Sequence, residues 1–241
     1  MTPTTRALAF LRKERAAVLV LLAATLFLVI STRTDPEGGD SAELIAAAFC
    51  QGIPHATGYP LYTWLGGIFR LLPGLAPAHA MNLSSALFAG GALFLLALAV
   101  RELRGRMLAP AIAAATLALG RPFWFIGTFA EVYALHAFLL ALTLFLLFRW
   151  RRTGNDRLLL LATYAAALDA THHGSALLFA PGYAVLVLLS FSIRPPAKRF
   201  LAALLLVPVA FTVFAHLPIR NGANPPINAF DEIQTKVEWG L

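Results

Sequence analysis

The chain has 241 residues, 59% of them hydrophobic and 13% charged, with a formal net charge of +7. Soluble domains carry about 25% charged residues, so this composition excludes an ordinary soluble fold and points to a chain whose solvent is lipid. The single cysteine, Cys50, excludes an internal disulfide framework and a cysteine-based metal cage.

A bilayer-spanning helix needs about 20 mostly apolar residues. Seven runs of roughly that kind recur, at 16–32, 81–100, 107–119, 132–150, 158–171, 174–191 and 200–217. They predict an all-α, polytopic membrane protein built as one module over residues 1–241. The basic N-terminus followed by an apolar run is like a signal sequence. However, "STRTDPEGGD" offers no small-x-small cleavage site, so 16–32 reads as an uncleaved first span.

The loop 33–80 is too long to be a mere connector. "SAELIAAAFCQ" has the composition of a surface helix, with Leu44, Ile45, Ala48 and Phe49 on its apolar side. "YTWLGGIFRLL" reads as a second surface helix or a re-entrant one, and "GIPHATGYP" between them as an irregular turn. Asp40 and Glu43 are three residues apart and share a helix face. They answer to a capping box. They also answer to a general base with a second carboxylate to orient it, and one residue pair can serve both purposes.

With a cytoplasmic N-terminus and seven alternating spans, 14 of the 19 basic residues fall on cytoplasmic segments, in groups around 6–15, 101–106, 149–157 and 194–199. The positive-inside rule then fixes the orientation. Nine of the 12 acidic residues fall at the opposite face. The basic excess is a topology signal rather than a nucleic-acid footprint.

Four segments therefore meet on the outer side: the loop 33–80, the turn "RPFWFIGTFAE", the junction "LDATHHG", and the tail 218–241. Glu131 opens the fourth run, where an anion suits a helix N-terminus. Phe123, Trp124, Phe125 and Tyr133 read as an interfacial aromatic belt, and His136 as a packed helix-contact histidine. Asp169, His172 and His173 share a face; without a fourth ligand they read as a hydrogen-bonded cluster ahead of a metal site. Arg220 is an interface anchor or, more sharply, a phosphate clamp. No Walker loop or dinucleotide fingerprint is present.

Taken together, "GDSAELIAAAFCQGIPHATGYPLY", "MNLSSALFAG", "FAEVYAL", "THHGSALLFAPG" and "LPIRNGANPPIN" carry a resemblance that runs from Thr34 to Asn228. The chain resembles a former domain-of-unknown-function family in the GT-C superfamily of membrane glycosyltransferases. That family includes a eukaryotic protein O-mannosyltransferase acting on plexin-type receptors. The resemblance implies a GT-C-like module of about seven transmembrane helices, with surface helices in the first extracytoplasmic loop. It further implies transfer of a hexose from a polyprenyl-phosphate sugar to an acceptor hydroxyl on the extracytoplasmic side, with inversion. By motif position Asp40 would be the base with Glu43 beside it, and His55, Tyr59, Glu131, His173 and Arg220 would bind substrate. No cofactor and no metal ligand set is implied, and a divalent-metal requirement stays open. The partners would be the lipid-linked sugar, a protein or glycan hydroxyl and the bilayer, with no nucleic acid. Family members continue beyond "KVEWGL" and carry a tryptophan-containing run after the Pro pair. The expectation is thus a truncated product or a fragment, one whose core could fold with acceptor recognition lost. Two other readings are a lipid-linked sugar transporter or flippase and a non-catalytic remnant that binds lipid-linked sugar. Outer-boundary ionisable groups and the lack of an internal repeat count against transport.

Overall fold

A computed structural model describes residues 15–103, 108–190 and 197–230. The basic residues Arg6, Arg12, Lys13, Arg104, Arg106 and Arg194, and the tail from 231 onward, lie outside the described residues.

The chain is all-α and polytopic. In order it forms α1 (Arg15–Ile30), α2 (Ser41–Cys50), α3 (Pro60–Phe69), α4 (Pro77–Glu102), α5 (Ala109–Ala118), α6 (Arg121–Ile126), α7 (Tyr133–Thr153) and α8 (Asp156–His172). A 3-10 segment (Gly174–Phe179), α9 (Ala180–Leu188), α10 (Ala197–Phe211), a 3-10 turn (Thr212–Ala215) and α11 (His216–Gly222) follow. The only β feature among the described residues is an isolated bridge between Ile53 and Asn228. Among the described residues three helical stretches are long and apolar enough to cross a membrane: Pro77–Glu102, Tyr133–Thr153 and the continuous Ala197–Gly222. The other expected runs fall on the shorter α1, α5, α8 and Gly174–Leu188.

Local chemistry sets the boundaries. Prolines occupy the first turns of α3, α4 and α5, where a missing N–H costs nothing. Asn155 caps α8 by accepting from the Arg157 amide at 3.1 Å. Gly154, at φ 67°, ends α7 in the left-handed conformation that glycine adopts without penalty.

The helices α4 and α7 form the centre. Their shared face is rich in alanine, with Ala86, Ala89, Ala92 and Ala134 essentially buried. At Gly90 and Gly91 an added Cβ would meet Thr25 of α1 and Phe138 of α7 within 3 Å, so the "AGG" step lets three helices touch. At the C-terminal ends of the two helices, Glu102 of α4 pairs with Arg152 and with Arg149 at 3.5 Å on α7. At the other end α2 and α3 pack over the bundle through Leu44, Ile45, Tyr62, Met81 and Leu135.

The aromatic belt is revised by this packing. Phe123 is buried in the core, because the segment expected as a turn coils into α6 and rolls that ring inward. Tyr133 faces His173 with ring centroids 5.2 Å apart, while Phe125 stays exposed.

Candidate active site

Gly39, at φ 75°, turns the chain into α2, and Asp40 takes the N-cap position. The expected capping box does not form. Asp40 already has helical angles (φ −80°, ψ −8°), and its side chain makes no capping hydrogen bond. An N-cap side chain reaches the first-turn amides from an extended backbone, which Asp40 lacks. Glu43 turns away to the loop: its Oε1 accepts from the His55 backbone N–H at 2.7 Å, and its Oε2 lies 2.7 Å from His55 Nδ1. The other ring nitrogen, Nε2, is 3.5 Å from Asp40 Oδ2. His55 thus bridges the two carboxylates, and Asp40, with its side chain 60% exposed, is the one left open to a substrate.

The turn that carries His55 is fastened from both sides. The Ile53 amide donates to Ile227 O and the Ala229 amide to Ile53 O, each at 2.8 Å, so "PPIN" of the tail pairs with "GIPH" of the loop. An added Cβ on Gly52 would meet Ile227 O at 2.5 Å; only glycine admits the tail this closely. Tyr59 ends the turn at φ 37°. A left-handed backbone at a tyrosine costs about 1–3 kcal/mol and persists where the surroundings hold it. Its ring meets His55 at 5.3 Å and His172 at 6.1 Å, both edge-on. Burial raises the Tyr59 hydroxyl above its ordinary value, and Tyr133, Asp40, Glu131 and Glu43 add to the effect. Tyr59 is therefore the ring around which these groups gather.

Glu131 precedes α7. Burial, then the neighbouring Asp40 carboxylate, raise it above the usual carboxylate range, opposed by the Val132 amide and His55. The folded state therefore binds this proton more tightly than the unfolded chain does. Stability attributable to Glu131 falls as pH rises from the unfolded value through the folded one, and stays lowered above it. Glu131→Gln should accordingly raise the unfolding temperature at pH 7.5, and the gain should vanish below pH 4, where both forms are neutral. Thermal unfolding in detergent at the two pH values measures this. An equal gain at both would detach the effect from ionisation.

On the far side of Tyr133 lies a second polar group. His136 Nδ1 is 2.8 Å from Asp169 Oδ1, and His136 Nε2 is 3.0 Å from Ser175 Oγ. Ser175 Oγ is in turn 2.7 Å from His173 Nδ1. The two imidazoles stack with centroids 4.9 Å apart. His136 therefore does more than pack. Asp169, His172 and His173 go to different partners, since His172 Nε2 bonds Val132 O at 2.8 Å.

Beside this group the helices α7, α8, α9 and α10 border a half-open apolar cavity of about 400 Å³, lined among others by Thr163, Ala166, Tyr183 and Phe200 and reaching Leu147 and Leu159 towards the other end. Ala162, Thr163 and Ala166 continue at helical spacing into Asp169, and His173 follows the helix as its extended C-cap residue. One face of α8 is thus apolar along the cavity and polar at its end.

Asp40, Glu43, His55, Tyr59, Glu131 and His173 form one polar band across the ends of α2, α7 and α8. Arg220 is elsewhere. Its Nε donates to Gln51 O at 2.6 Å and its Nη2 to Cys50 O at 3.1 Å, at the C-terminal end of α2. Ten helical residues separate that end from Asp40, about 15 Å along the axis. Arg220 satisfies the last carbonyls of α2 and ties α11 to the loop.

Three residues of the arrangement were not singled out as site residues from sequence. Asn82, fully buried in α4, donates to Arg33 O at 2.9 Å and Asp35 O at 3.2 Å and accepts from the Ala130 amide at 2.7 Å. It fixes the start of the long loop against the residue before Glu131. The signal was an asparagine inside an apolar run. His136 and Ser175 are the others, and "THHGS" close after Asp169 was the cue for Ser175. As to metal, Asp40, Glu43 and His55 offer ligand atoms within 4.8 Å of one another. Their hydrogen bonds already use His55 Nδ1 and both Glu43 oxygens.

Residues 40–195 match the family described as "Protein O-mannosyl-transferase TMEM260 N-terminal domain". The chain belongs to this family. Among curated proteins, the mouse (Mus musculus) protein O-mannosyl-transferase TMEM260 is 27% identical over 207 residues, which is 82% of this chain and 29% of the relative. The Dictyostelium discoideum protein of the same name is 37% identical over 82 residues, 33% of this chain and 10% of the relative. The chain thus spans less than a third of the length of these TMEM260 relatives. No solved structure matches. The TMEM260_N match begins at Asp40 itself and takes in the whole polar band.

Proposed function

We propose that the chain is the donor-binding and catalytic part of a membrane O-mannosyltransferase. It transfers mannose from a polyprenyl-phosphate sugar to a hydroxyl of a protein acceptor, on the extracytoplasmic side and with inversion. Membership of a family whose named relatives are protein O-mannosyl-transferases supports the reaction class. The observation that carries the reading is the hydrogen-bonded group of Asp169, His136, Ser175 and His173 at the end of α8, the helix whose Ala162, Thr163 and Ala166 line an apolar groove. An amphipathic lipid phosphate needs that combination: each CH₂ buried from water contributes about 0.8 kcal/mol, while the charged head stays among polar groups. The positive-inside distribution supports a cytoplasmic N-terminus and an outward band.

In the step proposed, the Asp40 carboxylate takes the proton from the acceptor hydroxyl. That oxygen forms a bond to the anomeric carbon from the face opposite the leaving group. The bond from that carbon to the phosphate oxygen breaks, and the electron pair leaves with the polyprenyl phosphate. Glu43, through His55, positions Asp40. No metal is needed to balance the step.

The test is incubation of the chain in lipid nanodiscs with polyprenyl-phosphate [¹⁴C]mannose and a Ser/Thr-containing polypeptide. Label on the polypeptide with an equal release of polyprenyl phosphate is the expected result. Donor binding without transfer would leave a lipid-sugar binding module instead.

A further inference from the structure

The hydrogen bonds around His173 run in one direction. The Ser175 backbone N–H donates to His173 Nδ1 at 3.3 Å, and a backbone amide can only donate. His173 Nδ1 is therefore an acceptor and carries no proton. Burial, then His136, lower the His173 pKa, so the ring is neutral near pH 7 and its one proton sits on Nε2. The Ser175 hydroxyl, 2.7 Å from the same Nδ1, must donate to it as well. Its oxygen is then free to accept from His136 Nε2, 3.0 Å away. At the far end Asp169 Oδ1 lies 2.8 Å from His136 Nδ1, a contact that takes one further proton, carried by the imidazole or by the buried carboxyl. Among the described residues His173 Nε2 has no hydrogen-bond partner.

We infer that Asp169, His136 and Ser175 are positioning residues that hold His173 in its Nε2–H form, and that this N–H donates to a phosphate oxygen of the lipid-linked substrate. The inference rests on the function proposed above and names the side chain that receives the head group. His173 caps the end of α8, the helix whose Ala162, Thr163 and Ala166 line the cavity, so a lipid lying along that helix would bring its head group towards this end. His173 also abuts Tyr133, which with Asp40 influences Tyr59, so the donor is on the catalytic side of the band. A locked neutral donor suits this place. It binds the phosphate in the bound state and, unlike an arginine, adds no full charge that would hold the released lipid phosphate.

The test uses the full chain in nanodiscs with ¹⁵N-labelled histidine and three probes: farnesyl phosphate, farnesol and inorganic phosphate. Wild type should bind farnesyl phosphate well ahead of the other two, and only that probe should shift the Nε2–H signal of a histidine whose Nδ1 is an acceptor. His173→Phe should weaken farnesyl phosphate about tenfold or more, leaving farnesol unchanged. His173→Gln should recover binding to within about threefold of wild type, because the amide N–H stands where Nε2–H was. Ser175→Ala should weaken the phosphate several-fold and make the two His173 nitrogens less distinct in the spectrum. If wild type fails to prefer farnesyl phosphate over farnesol, the function proposed above falls and this inference with it. If wild type keeps that preference and His173→Phe does too, or if Gln is no better than Phe, the inference alone is overturned.

Discussion

Asp40→Asn is expected to lower the rate of mannose transfer by about 10²–10⁴-fold, the range in which a positioned general base contributes, with little change in donor affinity. The substitution keeps shape and removes only the ability to take a proton. Asp40 is the right residue to test because it is left open: it makes no capping bond, and among the described residues its side chain's one salt-bridge-range neighbour is His55 Nε2 at 3.5 Å. Glu43, by contrast, spends both oxygens on His55, so its loss would disturb the loop as well as the chemistry. Initial rates over a range of donor concentrations separate the two effects. A rate within threefold of wild type would remove Asp40 from the reaction.

Asn82→Leu is expected to have the largest effect on stability. It leaves the Ala130 N–H and the Arg33 and Asp35 carbonyls without their partner. An unsatisfied buried group costs about 1–3 kcal/mol, so a loss of roughly 2–4 kcal/mol is expected where Arg33 and Asp35 find water in part. The same change should slow transfer, since Asn82 holds the loop leading to Asp40 against the segment leading to Glu131. Thermal unfolding of the two proteins in one detergent measures the first effect. An unchanged unfolding temperature would mean that the loop is anchored elsewhere.

The sequence carried the architecture because lipid imposes so simple a rule. Apolar runs of spanning length predict helices, and α4, α7 and the stretch from Ala197 to Gly222 meet that standard on length and composition. Within the long loop, helical composition with an apolar side marked α2, a second such segment marked α3, and Gly and Pro marked the turn between them. Side-chain partnerships were less legible. Asp40 and Glu43 satisfy the capping-box spacing, yet Glu43 prefers a histidine twelve residues away that spacing cannot reveal. His136 read as a packed histidine because, five positions past Glu131, it is off that residue's face; its partner Asp169 lies on the next helix. Arg220 read as a clamp because guanidinium suits phosphate. The unsatisfied carbonyls at the end of α2 suit it equally well, and they are what it reaches. Short-range periodicity is written in the chain, whereas pairs made across helices depend on the packing that follows from it.

The central claim is that one lipid phosphate spans the apolar cavity and the polar band, with Asp40 beside its head. The most direct measurement is photolabelling in nanodiscs with a polyprenyl phosphate that carries one reactive group beside the phosphate or, in a second probe, one along the tail. The head probe should label the segments around His55–Tyr59, Glu131–His136 and His172–Ser175. The tail probe should label Thr163, Ala166, Tyr183 and Phe200. Labelling of the opposite end of the bundle, around Glu102 and Arg152, with none at His55–Tyr59 would contradict it.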